Sequence, residues 1–207
     1  MKIAILFSGR IAMFENCYEN IQKHLKFNHD IDFFLSHSPE LNEDIEAFRK
    51  LYNPKLIINE PITYFDHNKY KKYCNEQGHN TMCMFINRLR VFKLLDTFVN
   101  ITNTKYDLVI SYRSDITLNQ ALDFSWFNIL NNNTIYIPDG HDYWNGLNDQ
   151  IAFGSYETMK IYLSLYNDLK SELLDKGCVF HPETILKNYM YLKNIKVIRI
   201  PLDYKLR

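Results

Sequence analysis

Four short polar clusters in this sequence have residue types and spacings suited to chemistry. Ser8-Gly9-Arg10 follows directly on the apolar run Ile3-Ala4-Ile5-Leu6-Phe7. A glycine at the end of such a run lets backbone N–H groups approach a phosphate, and the start of a following helix favours anions. Arg10 adds a charge-assisted donor for the same kind of ligand. The segment holds one glycine, so it is neither a GxGxxG fingerprint nor a P-loop. A tight turn with a surface arginine is the plainer alternative. Arg113-Ser114-Asp115 closes a second apolar run, Leu108-Val109-Ile110-Ser111. A carboxylate there is placed to hold Mn²⁺ or Mg²⁺ against a pyrophosphate and so neutralise a departing diphosphate. One carboxylate makes a thin metal site, and an aspartate capping the next turn is the alternative.

Asn148-Asp149-Gln150 stands before a third apolar run. Its carboxylate can take the proton of an attacking hydroxyl, or orient the molecule that carries it. Tyr143 and Trp144, just upstream, offer flat faces on which a sugar can stack. Asn-Asp is equally turn chemistry. In His181-Pro182-Glu183 an imidazole and a carboxylate can complete a metal shell or touch an acceptor, whereas a helix cap with Glu183 favoured by the helix dipole explains them as well. Arg88 and Arg90 sit in a long helical pattern. Either they lie on a solvated face, or one of them neutralises phosphates where that helix borders a crevice. His37 follows another apolar run and either touches a base or is a satisfied histidine at the edge of the core.

These clusters need strand ends to hold them. Residues 3–7 read as a buried central strand, and 14–25 as a helix with Phe14, Cys17, Tyr18, Ile21 and Leu25 on one stripe. Residues 31–36 and 56–58 read as two more strands, with a helix between them capped by Asn42 and running to Leu51. Strand alternating with helix is the signature of a parallel sheet covered by helices. Residues 62–80 have no period and read as an irregular excursion, followed by the longest helix, 81–99. Residues 108–111, 134–137 and 151–153 read as strands. The loop 138–148 is rich in Gly, Asp, Asn and aromatics. A helix over 156–174, broken near Asn167, a helix over 182–193 with Pro182 at its first position, and a terminal strand over 195–200 complete the pattern. In such sheets ligands bind beyond the carboxyl ends of the strands.

The 207 residues suit one domain, with 1–120 as a nucleotide-binding half and 121–207 as an acceptor-side half. Lys plus Arg and Asp plus Glu both number 24, so formal net charge is zero. That balance argues against a nucleic-acid partner, which asks for a basic excess. The four cysteines, Cys17, Cys74, Cys83 and Cys178, form no CxxC pair and read as scattered intracellular thiols. The N-terminal apolar run is too short for a signal peptide, and no stretch reaches membrane-spanning length. A cytoplasmic location is the expectation.

The order of the segments IAILFSGR, KYDLVISYRSDI, LNDQIAFGSYETMKIY and HPETILKNYM resembles small GT-A-type glycosyltransferases of bacterial capsule and lipopolysaccharide clusters and of large DNA viruses. The resemblance implies a single-domain, Rossmann-like α/β fold with a mainly parallel central sheet. It implies transfer of a hexosyl or deoxyhexosyl group from a nucleotide-sugar donor to a glycan or glycoprotein acceptor. Carried over by position, Ser8, Gly9 and Arg10 border the nucleotide; the residues themselves, apart from the resemblance, add His37, Arg88 and Arg113 as further candidates. The resemblance makes Asp115 the metal-linked carboxylate, Asp149 the catalytic-base candidate, and His181 and Glu183 acceptor-side candidates; Trp144 joins that side from its own stacking face. The sequence departs from a full DxD motif, because Arg113 stands where its first carboxylate belongs. Either Asp115 holds the cation alone, with phosphate and water, or Arg113 supplies part of the metal's charge. A non-catalytic nucleotide- or glycan-binding relative is the rival reading. A nucleotidyltransferase or methyltransferase is a second, the latter disfavoured by the missing glycine-rich loop.

Overall fold

Strand β1 (Lys2–Ser8) is apolar through its middle because both of its faces are covered. Ile3, Ile5 and Phe7 pack on one side against helices α1 (Phe14–His24) and α2 (Ile45–Tyr52), through Phe14, Cys17, Ile21 and Phe48. Ala4 and Leu6 face the other side, against α3 (Gly78–Thr102) and α4 (Tyr156–Leu163), through Met82, Phe85, Leu95 and Met159. The structure, a computed structural model, describes residues 1–25, 29–39, 43–62, 70, 72–73, 78–127 and 130–207.

Among the described residues the central sheet has seven strands. Besides β1 they are β2 (Asp30–His37), β3 (Leu56–Asn59), β4 (Leu108–Tyr112), β6 (Thr134–Pro138), β7 (Ile151–Gly154) and β8 (Lys196–Ile200), in the order β3-β2-β1-β4-β7-β6-β8. All run parallel except β7, which is antiparallel to β4 and to β6. The expected α/β fold with a mainly parallel sheet is therefore what forms. The reversal of β7 has a local cause. A parallel return after β6 would need a crossover that carries the chain to the far edge of the sheet. The loop 139–150 holds no helix to do so, and β7 starts at the edge where β6 ended. The reversal also places Asp149 and Gln150, at the start of β7, beside the end of β4, where Tyr112 pairs with Ile151.

The elements differ from the sequence expectation in a few places. Helix α3 starts at Gly78 rather than at 81. Of the stretch 62–80, residues 63–69, 71 and 74–77 lie outside the described residues, as does Asn42; Asp44 caps α2 instead, accepting from the Ala47 N–H at 2.9 Å. The expected 156–174 helix ends at Leu163 and continues as the short helical turn Leu165–Asp168 and a wider π turn, Leu169–Leu173. Strand β8 is not the last: β9 (Tyr204–Leu206) pairs antiparallel with β5 (Ile116–Leu118) in a two-stranded sheet. Helix α5 (Pro182–Leu192) starts at the expected proline. Cys17 and Cys178 are free thiols, and burial pushes the Cys17 thiol up to about 12. No described helix is long and apolar enough to cross a membrane.

Candidate active site

The loop after β1 turns at Gly9, whose φ of +89° suits glycine and whose missing side chain leaves open space. The Gly9 N–H donates to the Ser36 carbonyl at 2.8 Å, and the Ile11 N–H donates to the Glu43 carboxylate at 2.6 Å. Two loop amides are thus engaged within the protein, so the loop offers a ligand its open glycine, Ser8 and Arg10. The loop after β4 is tied to it, because Ser114 Oγ donates to the Arg10 carbonyl at 2.8 Å. Together they form the wall of one cavity of about 660 Å³, lined by Ser8, Gly9, Arg10, Arg88, Arg113, Ser114, Asp115 and Gln150 among others. Segments more than a hundred positions apart in sequence meet there.

Within the cavity Arg113 and Asp115 form a two-pronged ion pair. Arg113 Nε lies 2.9 Å from Asp115 Oδ1, and Nη2 lies 2.6 Å from Oδ2. Both carboxylate oxygens are therefore occupied by a guanidinium. The expected Mn²⁺ or Mg²⁺ finds little to bind. Among the described residues no group of three or more His, Cys, Asp or Glu side chains is placed to hold a metal ion. A single carboxylate already neutralised by arginine does not fit a resident divalent cation.

Helix α3 borders the cavity through Arg88, and neither Arg88 nor Arg90 lies on a solvated face. Arg90 points away and donates to the Glu60 carbonyl at 2.9 Å. Arg88 Nη2 donates to the Asp149 carbonyl and lies 3.2 Å from Asp149 Oδ2, with the guanidinium 5.7 Å from the Tyr162 ring centroid. The Asp149 side chain is 9% exposed and does not line the cavity, whereas its neighbour Gln150 does. His37 is also not at the cavity. Its side chain is buried at the end of β2, with Nδ1 2.9 Å from Asn59 Oδ1 and Nε2 3.2 Å from Glu43 Oε2. Both ring nitrogens already have partners within the protein, the arrangement of the core-edge alternative.

The acceptor-side candidates cluster together at the start of α5, and none of them lines the cavity. Trp144 is 73% exposed, with its ring 5.6 Å from that of His181. His181 Nδ1 stands 2.8 Å from Glu183 Oε2 in an ion-pair contact whose geometry is too bent for a hydrogen bond. Burial and the nearby Asp149 charge raise the Glu183 pKa above its ordinary value, against the opposing influence of its own backbone hydrogen bond, His181 and Arg88. The loop carrying Trp144 is held on α5. Thr184 Oγ1 donates to the Trp144 carbonyl at 2.9 Å, Lys187 Nζ to the Asn145 carbonyl at 2.9 Å, and the Leu147 N–H to the Glu183 carbonyl at 3.0 Å. His141, Trp144 and Asn145 all have positive φ, a strain that this anchoring sustains.

Two participants have no counterpart in the sequence reading. Tyr204, on the three-residue strand β9, accepts from Asn148 Nδ2 at 2.7 Å and donates to Gln150 Oε1 at 2.9 Å, so it fixes the turn that carries Asp149. Arg207 lines the cavity, and its N–H donates to the Asp115 carbonyl at 2.9 Å. Neither belongs to an element with a periodic signal.

No family model matches the chain, and no curated protein matches it by sequence. Among solved structures, the apo form of the glycosyltransferase GlyE of Streptococcus pneumoniae TIGR4 is similar in fold, with a TM-score of 0.55, 13% identity and 96% of this chain covered. The chain spans 45% of the length of that protein. At this identity the likeness is one of fold alone.

Proposed function

We propose that this chain is a glycosyltransferase of the GT-A type that moves a sugar, hexosyl or deoxyhexosyl, from a nucleotide-sugar to a hydroxyl of a glycan or glycoprotein. The observation that carries the reading is the junction of the Gly9 and Asp115 loops, joined by Ser114 and opening on one arginine-lined cavity. A diphosphate suits Arg10, Arg88 and Arg113, since phosphate oxygens take charge-assisted hydrogen bonds from guanidinium forks. The sugar then lies near Asp115, and the acceptor enters past Trp144 and His181. In this reading Asp149 deprotonates the acceptor hydroxyl if the reaction inverts the anomeric centre. No step is assigned to a metal ion. A cytoplasmic location belongs to the same proposal.

One observation favours a second reading, a relative that binds and does not turn over: the Asp149 carboxylate is buried against Arg88 instead of facing the cavity. Hydrolysis and transfer from a panel of UDP-, GDP-, CDP- and dTDP-sugars decide between them. The transferase reading expects turnover with at least one donor, and a loss of about a hundredfold or more in Asp149→Asn with donor binding kept. Binding without turnover across the panel supports the second reading. Near-normal turnover in Asp149→Asn removes the residue from the mechanism.

A further inference from the structure

The Arg113–Asp115 pair has a consequence for how a diphosphate is held, given the nucleotide reading above. A guanidinium carries five N–H donors in a rigid fork. Asp115 takes the edge formed by Nε and Nη2. That leaves three hydrogens, of which one on Nη1 and the second on Nη2 form the other bidentate edge of the fork. The Arg113 side chain is 44% exposed, and the residue lines the cavity. A guanidinium fixed on one edge by a carboxylate is a preorganised phosphate clamp on its other edge.

Charge points the same way. Among the described residues lining the cavity, the arginines are Arg10, Arg88 (paired with Asp149), Arg113 and Arg207, and the only carboxylate side chain is that of Asp115. A divalent cation placed on Asp115 would have to dislodge a guanidinium that holds both oxygens within 3 Å, and would meet its like charge there.

We propose that Arg113 takes the place of a divalent cation at this site, clamping the diphosphate of the nucleotide with its free edge while Asp115 serves as a positioning residue that orients the fork. Nucleoside diphosphates then bind equally well with and without Mn²⁺ or Mg²⁺.

Calorimetry with UDP, GDP and inorganic pyrophosphate as probes, each in EDTA and in excess MnCl₂, tests this. The wild-type chain is expected to give affinities that agree within about twofold between the two buffers. Arg113→Lys keeps the charge and loses the planar edge, so its affinity in EDTA is expected to fall by about tenfold or more. Asp115→Asn is expected to weaken binding while leaving it indifferent to Mn²⁺, a response that a metal ligand would not give. A wild-type affinity that rises tenfold or more with Mn²⁺ overturns the proposal and leaves the transferase reading standing, as does an Arg113→Lys chain that binds like wild type. Absence of binding by every probe in both buffers overturns the nucleotide reading itself.

Discussion

Asp149 stands between two buried neighbours that act on it in opposite senses. Arg88 neutralises it at 3.2 Å, and Glu183 is a like charge whose own ionisation it opposes. With its folded pKa raised, first by burial, Glu183 favours the folded state in its protonated form. Its contribution is fully present below the ordinary value of 4.5 and is lost as pH rises through the elevated folded value. Glu183→Gln keeps the shape and removes the charge. Its melting temperature is therefore expected to match that of wild type near about pH 4 and to exceed it at about pH 7. A variant less stable than wild type at neutral pH would mean that the His181 contact outweighs burial. The sequence marked Asp149 and Glu183 as polar residues at element starts. It held no mark of their coupling, because Arg88 joins Asp149 across 61 positions and on a helix whose buried arginines look like surface ones. His37 was undecided in the sequence for the same reason: its partner Asn59 faces it through the β2–β3 pairing and Glu43 reaches it from the segment before α2, neither of which a linear pattern displays.

The parallel strands were legible because burial on both faces writes an unbroken apolar run, as in β1 and β4. The direction of β7 was not, since Ile151-Ala152-Phe153 reads the same whichever way it runs. Its reversal is what carries Asp149 and Gln150 to the end of β4. The three-residue strands β5 and β9 are too short to show a period, and with them went Tyr204. The loop 138–148 could be read as functional but not as rigid. Its rigidity depends on Gly146. A Cβ at that position would meet the Glu183 carbonyl carbon at 2.3 Å and the Thr184 nitrogen at 2.6 Å, both backbone atoms of α5 that cannot step aside. Gly146→Ala should therefore lift the loop off the helix start and cost at least about 2 kcal/mol, measured by denaturant unfolding. Gly146, Glu183 and Thr184 do not line the cavity, so nucleoside diphosphate affinity is expected to stay near wild type while acceptor-dependent transfer falls. An alanine variant with unchanged stability would show that the loop is not clamped as the backbone contact requires.

Composition hides what the folded chain displays. Equal numbers of basic and acidic residues give a net charge of zero, yet folding gathers Arg10, Arg88, Arg113 and Arg207 around one cavity with a single carboxylate among its described lining residues. A chain built this way should be stabilised by diphosphates through the cavity alone. A ligand present at about a hundred times its dissociation constant adds about 2.7 kcal/mol to the native state. For a chain of this length that corresponds to a rise in melting temperature on the order of 5–10 °C. UDP or GDP at saturating concentration is expected to produce such a rise, the matching nucleoside without phosphates a far smaller one, and added salt to reduce the first more than the second, because screening weakens charge-assisted contacts and leaves base stacking largely untouched. Equal shifts from nucleoside and diphosphate would locate recognition in the base and leave the converging arginines without a ligand. A shift from the diphosphate that salt does not reduce would mean that its charges are held by groups more deeply buried than Arg113, whose side chain is open to solvent over nearly half its surface.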